Sequence, residues 1–243
     1  MNEFIYTNNG LITKFMELMA AVTGLILFSK YKETNVRYFV YFLCYVFILE
    51  LIGGYTVYVH KYEALSEIKE ILKDTWLRRN NWFYTILWVV GSAFFYSFYF
   101  RKLLNSMKSK QVLKLLTYCF LLFAIFEIAN NWEAFFVTWL PKISLFSTII
   151  ITLSILFYLT ELLKSDNILK FYKSMNIYIS LSVLLWVVIT TPLAFYRMYF
   201  NQLDWGFVYL KTNVFFFANV FLYTTFTIGL IVSKPEINTS NKN

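Results

Sequence analysis

The chain has 243 residues, of which 59% are Ala, Val, Ile, Leu, Met, Phe, Trp, Tyr or Cys, 22% are aromatic and only 15% are charged. Soluble domains carry roughly 25% charged residues, so an ordinary water-soluble fold is excluded, and the aromatic content excludes disorder. The net charge of +8 does not mark a nucleic-acid binder, because the bases lie in short segments between apolar runs rather than on one solvated face. What remains is an all-α polytopic membrane protein.

A spanning helix needs about 20 mostly apolar residues to cross roughly 30 Å of hydrocarbon. Reading from the N-terminus, Met1–Gly10 carries Glu3 and no base. It lacks the basic start and small-residue cut site of a signal peptide, so the first apolar run is expected to stay as a span. Seven such runs follow, at about 11–29, 36–59, 81–100, 113–134, 143–163, 175–199 and 206–232. They are expected to form a single seven-helix domain over 1–232, followed by a short tail at 233–243. The scarcity of Gly and Pro, seven and three, argues against a β-barrel with its many turns.

Orientation follows from the bases. With the N-terminus outside, thirteen of the 22 Lys and Arg fall in cytoplasmic segments, against four of the fourteen acids. The positive-inside rule therefore puts the C-terminus in the cytoplasm. Asn238-Thr239-Ser240 is then on the wrong side to be a glycosylation site. The one long outer loop, 60–80, places Leu65, Ile68, Leu72 and Trp76 on one helical face with Glu67, Glu70, Lys73 and Asp74 elsewhere. That pattern predicts a short amphipathic helix on the membrane surface or capping the bundle. No expected cytoplasmic loop is long enough to be a catalytic, nucleotide-binding or DNA-binding domain.

Ionisable groups inside hydrocarbon are costly, so they are the first functional candidates. At about 1.5 Å per residue, Glu17, Glu50 and Glu127 are expected roughly 10 Å below the outer surface, with Lys211 at similar depth and Arg197 shallower. Helical spacing adds partners. Lys14, Glu17, Ala21 and Gly24 share a face of the first span, as do Tyr84, Trp88 and Ser92 on the third. Glu127, Asn130 and Asn131 group on the fourth, Trp186, Thr190 and Arg197 on the sixth, and Lys211, Phe215 and Asn219 on the seventh. If these faces point inward, they enclose a polar and aromatic pocket open to the outside. If they point at neighbouring helices pair by pair, they are interhelical ties that fix the packing. Both readings stand on the sequence.

Other chemistry finds little support. Cys44 and Cys119 sit within apolar runs without C-x-x-C spacing, which reads as small buried residues. A single histidine, His60, at an aqueous boundary cannot supply a metal site, haem ligation or a serine hydrolase base. There is no phosphate-binding G-x-x-x-x-G-K-[ST] loop. The stretch Trp186-Val187-Val188-Ile189-Thr190-Thr191-Pro192-Leu193 resembles a segment of the third helix of microbial rhodopsins, which implies a retinal protein. Those proteins carry a counter-ion just before the Trp and a retinal-binding Lys in mid-helix of the last span. Here Leu185 precedes Trp186 and only Lys211, near the outer end, is available, so retinal is not carried over and no cofactor is expected. Pro192 is expected to kink the sixth helix, with Thr190 and Thr191 able to satisfy freed carbonyls.

The sequence thus predicts a non-enzymatic, multi-pass protein of a bacterial inner membrane. Its abundance of Phe, Ile, Asn, Lys and Tyr is that of an AT-rich genome. The expected role is a sensor-like or accessory subunit whose outer pocket takes a small ligand, a lipid or a partner helix. Its partners are the lipid bilayer and a membrane or cytoplasmic signalling protein, not nucleic acid. A small proton-coupled transporter using the intramembrane glutamates is the alternative, and carboxylate-only acid–base catalysis comes third.

Overall fold

The computed structural model describes residues 2–165, 172–196 and 205–235. Among these residues the chain is all helix, and seven helices are long and apolar enough to cross a membrane. They are Glu3–Ile26, Val36–Lys61, Asn81–Leu103, Met107–Asn130, Pro141–Leu163, Met175–Leu193 and Trp205–Val232, here the first to seventh spans. A multi-pass protein in contact with the lipid bilayer follows from these spans. Their boundaries have local causes. The first helix, Asn2–Ile26, extends ahead of the apolar run, and within it Thr7, Asn8 and Asn9 turn their side chains back onto carbonyls three or four residues earlier. Ser106 caps the fourth span by accepting from the Ser109 amide at 3.3 Å, which starts that helix at Met107, earlier than the apolar run alone implies. The same helix stops at Asn130 because Asn131 closes it, its amide bonding the carbonyls of Glu127 and Ile128. Glu133 and Ala134 therefore belong to a separate short helix, Trp132–Val137.

The helices gather into two compact units. One comprises 1–47 and 155–243, the other 48–154, so the second and fifth spans contribute one segment to each.

In the first unit, the first and seventh spans pack side by side and run parallel. Tyr6 meets Tyr209 and Trp205 at one end, with ring centroids 5.6 and 6.3 Å apart. At the other end the Tyr31 hydroxyl donates to the Leu230 carbonyl at 2.7 Å and shares a 2.7 Å hydrogen bond with Ser233 Oγ. Lys30 Nζ adds bonds to the Leu230 and Ile231 carbonyls, both at 3.0 Å. These groups satisfy carbonyls that the last helix leaves open at its C-terminus, where a cation also complements the helix dipole. Small residues allow the close approach of neighbours: Gly24 faces Val40, and Gly229 lies under Met175 and Tyr178. Phe39 meets Phe226 edge-on at 4.8 Å to fill the space between. The sixth span packs on the seventh. Its helix continues through Pro192 to Tyr196, although proline removes the hydrogen bond to the Val188 carbonyl.

In the second unit, the helix of the second span runs to Gly53 and restarts at Tyr55. The third span opens with one turn of α-helix, then widens to a π-helix over Tyr84–Val90 before resuming at Gly91. A wider turn leaves backbone carbonyls less well paired, and Ser147 of the fifth span donates to the Val89 carbonyl at 2.9 Å. The third and fourth spans are tied by Ser97 and Thr117, whose hydroxyls are 2.5 Å apart. Segment 60–80 contains the helix Ser66–Lys73, flanked by single 3-10 turns at Glu63–Leu65 and Trp76–Arg78. Leu65 and Trp76 thus lie in the flanking turns, not in the helix itself.

Candidate functional site

Hydroxyl side chains are plentiful in these spans, but many bond backwards within their own helix. Ser154 bonds the Ile150 carbonyl, Ser180 that of Asn176, and Thr227 that of Tyr223. Such groups satisfy themselves and are poor markers of a binding site. The informative polar groups are those that meet a second helix.

In the first unit the junction of the sixth and seventh spans carries one such meeting. Trp186 Nε1 donates to Asn219 Oδ1 at 2.7 Å, and the same indole meets Phe215 edge-on at 6.5 Å. Thr190, one turn further along the sixth span, is buried and donates to the Trp186 carbonyl at 2.8 Å. Lys211 is half-buried at the head of the same stripe, its Nζ 5.9 Å from the Phe215 ring. Lys211, Phe215, Ala218 and Leu222 follow one another at helical spacing, and the last two are buried. The lysine therefore stands at the end of a packed face.

Glu17 is only 4% exposed, on a face it shares with buried Ala20, Ala21 and Gly24. The parallel register of the first and seventh spans fixes its level. Counting from Tyr6 opposite Trp205 and Tyr209, or back from Tyr31 opposite Leu230, puts Glu17 beside about residue 217 of the seventh span. Asn213 and Asn219 lie within about a turn of that level, and Lys211 within about two. A buried carboxyl, two amides and an ammonium group are thus carried at neighbouring heights by two adjacent parallel helices. Arg197 lies outside the described residues.

In the second unit the candidates form two separate interhelical contacts. The Tyr84 hydroxyl donates to Glu50 Oε2 at 2.9 Å. Around it the break in the second span is held by Asn80, whose side-chain amide donates to the Gly53 carbonyl at 2.7 Å and to Thr56 Oγ1 at 3.1 Å. Gly53 is required by the contact: a Cβ there would stand 2.7 Å from the Tyr84 hydroxyl oxygen. The second contact pairs Glu127 with Lys142, Nζ to Oε1 at 3.1 Å. The glutamate side chain is 10% exposed and the lysine side chain 66% exposed. Glu127 sits one turn from the end of its helix, and Lys142 is the second residue of the fifth span. This pair therefore lies at the rim of the apolar region rather than deep within it. Asn131 adds a bond from Nδ2 to the Glu127 carbonyl at 2.9 Å, Asn130 is exposed, and Trp88 is half-buried within the π-helical stretch.

Sequence reasoning did not single out Lys142, although a base just inside a span that starts at Pro141 was its visible signal. The pair Gly53-Gly54 beside Glu50 is a visible signal for a close helix contact or a local break. Nothing in the residue pattern, however, announces the π-helix or Asn80 as the donor to Gly53, since both depend on contacts between helices. Among the described residues no three His, Cys, Asp or Glu come together as metal ligands. The chain matches no family model, no curated protein and no solved structure.

Proposed function

We propose that the chain is a non-enzymatic sensor-like or accessory subunit of a cytoplasmic membrane, with its N-terminus outside and its C-terminus in the cytoplasm. Its ligand, which is a small molecule, a lipid or a partner helix, is received by the polar and aromatic groups that the first, sixth and seventh spans carry toward the outside. The observation behind this reading is the burial of Glu17 at the level of Asn213 and Asn219, beside the Trp186–Asn219 contact. Burying a carboxyl in an apolar span is costly without an offsetting role. The orientation rests on the thirteen bases of the expected cytoplasmic segments. With such short connections as that between Leu103 and Met107, a signal leaves through a partner protein.

The test is a pull-down of the tagged chain from native membranes in mild detergent, with every retained protein identified. A stoichiometric partner supports the subunit reading, and its chemistry names the signal. A chain that comes away alone counts against it.

A proton-coupled transporter is the second reading, favoured by carboxyls as buried as those of Glu17 and Glu127. It requires proton flux in liposomes that disappears in Glu17→Gln while the variant stays folded.

A further inference from the structure

We propose that the helix Ser66–Lys73 is an interfacial membrane helix whose exposed apolar face is covered by the lipid bilayer, not by another protein or by a second copy of this chain. Its eight residues sort cleanly. At about 100° per residue, Ile68, Ile71 and Leu72 occupy one arc of about 100°, while Ser66, Glu67, Lys69, Glu70 and Lys73 fill the remainder. In a soluble protein such an arc would be packed against a core. Here Ile68 is 45% exposed and Ile71 70% exposed, so the chain itself leaves the apolar side open.

The bilayer is the occupant because both ends of the segment are fastened to the ends of membrane spans. After the helix, Tyr55 of the second span donates its hydroxyl to the Leu77 carbonyl at 2.6 Å and approaches the Arg79 carbonyl at 3.2 Å. Arg79 and Asn81 in turn both donate to the Val137 carbonyl, at 2.7 and 2.8 Å, at the end of the short helix between the fourth and fifth spans. Before the helix, only 62–65 separate it from the end of the second span at Lys61. A helix so tethered stays at the membrane edge. In the turn that follows the helix, Trp76 meets Trp82 at 4.9 Å and Phe136 at 5.8 Å. Trp and Tyr gather where a span leaves hydrocarbon, which places this turn, and the helix tethered to it, at the membrane edge.

Charge explains what kind of bilayer suffices. The polar arc mixes signs, with Glu70 and Lys73 already paired at 3.7 Å. The arc has no basic excess to seek anionic headgroups, so the apolar residues alone hold the helix down. The bilayer taken is therefore any fluid one, zwitterionic included.

The experiment uses the full chain with Cys44→Ala and Cys119→Ala, carrying either Ile71→Cys or Glu70→Cys labelled with an environment-sensitive fluorophore. Each is reconstituted into phosphatidylcholine vesicles with or without bromine on the acyl chains, and helix content is checked by circular dichroism. The label at position 71 is expected to be blue-shifted and quenched by bromine at least about twofold, whereas that at position 70 stays water-like. Ile68→Cys, on the same arc, repeats the measurement should the first variant fail to fold. A water-like label on the apolar arc overturns the proposal. So does a shielded label that bromine does not quench, which would show a protein cover. Equal quenching at both positions, or quenching that appears only when phosphatidylglycerol is added, also overturns it.

Discussion

The contact at Gly53 offers a demanding test of the packing. Adding one methyl in Gly53→Ala would place a Cβ 2.7 Å from the Tyr84 hydroxyl oxygen, 2.8 Å from Cζ and 3.0 Å from Phe83 Cε1. The phenol must swing aside, which breaks the 2.9 Å hydrogen bond from Tyr84 to Glu50. Overpacking of this kind costs about 1–3 kcal/mol. Interhelical hydrogen bonds in membrane proteins average about 0.6 kcal/mol and reach about 1.7, and a carboxyl acceptor belongs near the upper end. Gly53→Ala is therefore expected to cost about 2–5 kcal/mol, and Tyr84→Phe about 1–2. Because the glycine variant already loses the hydrogen bond, the double variant should be less damaging than the two single effects added. The shortfall is the shared bond, about 1–2 kcal/mol. Reversible unfolding of the four proteins in bicelles measures the cycle. Strict additivity would mean that the methyl and the hydroxyl do not compete for the same space, and a Gly53→Ala protein as stable as the parent would refute the reasoning outright.

The other expectations can be read from the same unfolding experiment. Lys142→Ala should cost less than about 1 kcal/mol, as for a solvent-screened pair, because that side chain is mostly exposed; a loss of about 3–5 would mark a fully buried pair instead. Gly229→Ala should cost about 1–3 kcal/mol, since its Cβ would lie 2.9 Å from Met175 Sδ and from Tyr178; a neutral result would show that the sixth and seventh spans separate without penalty. Tyr31→Phe should lower stability by about 1–3 kcal/mol, because its fully buried hydroxyl serves both Leu230 and Ser233, and proteolysis beyond Val232 should speed up in parallel. Trp186→Phe leaves Asn219 Oδ1 without this donor and should cost about 1 kcal/mol, and Asn219→Leu should cost less in that background.

The sequence made the membrane spans legible because hydrocarbon thickness imposes one simple demand on every helix: about 20 apolar residues. It was less informative wherever polar side chains set the boundary. Ser106 starts the fourth helix and Asn131 ends it, and neither residue interrupts an apolar run strongly enough to be weighed without seeing its bond. The amphipathic helix in 60–80 was legible from period alone, but Trp76 was placed one turn too generously on its face, because Thr75 takes an extended backbone and caps the next turn. The candidate site divides in the same way. Depth along a helix is a matter of counting, which ranks Glu17 and Lys211 as intramembrane groups. The count for Glu17 shifts, however, because its span is Glu3–Ile26, which puts it near the middle rather than close to the N-terminal end. Pairing depends on which helices touch and in what register. Counting alone puts Glu50 and Glu127 in one layer and leaves open a shared pocket or separate ties; the contacts add that Glu50 accepts from Tyr84 and Glu127 pairs with Lys142.

That difference bears on which residue should be changed to probe function. Glu50 accepts from Tyr84 at the start of the π-helix, and Glu127 ties two successive spans at the rim. Replacing either alters the fastening of helices, so a lost activity would carry no clear message. Glu17 lies instead on a face of small residues, Ala20, Ala21 and Gly24, where backbones approach closely and side-chain volume matters most. Glu17→Gln preserves that volume while removing the titratable proton, and Glu17→Ala removes both. If Glu17 only packs, the Gln variant should behave as the parent and the Ala variant should lose stability by a cavity term of about 1–3 kcal/mol. If Glu17 acts on a ligand or a proton, the Gln variant should fold like the parent yet lose partner retention or flux. Comparing these two variants therefore separates packing from function at a buried carboxyl on a face of small residues.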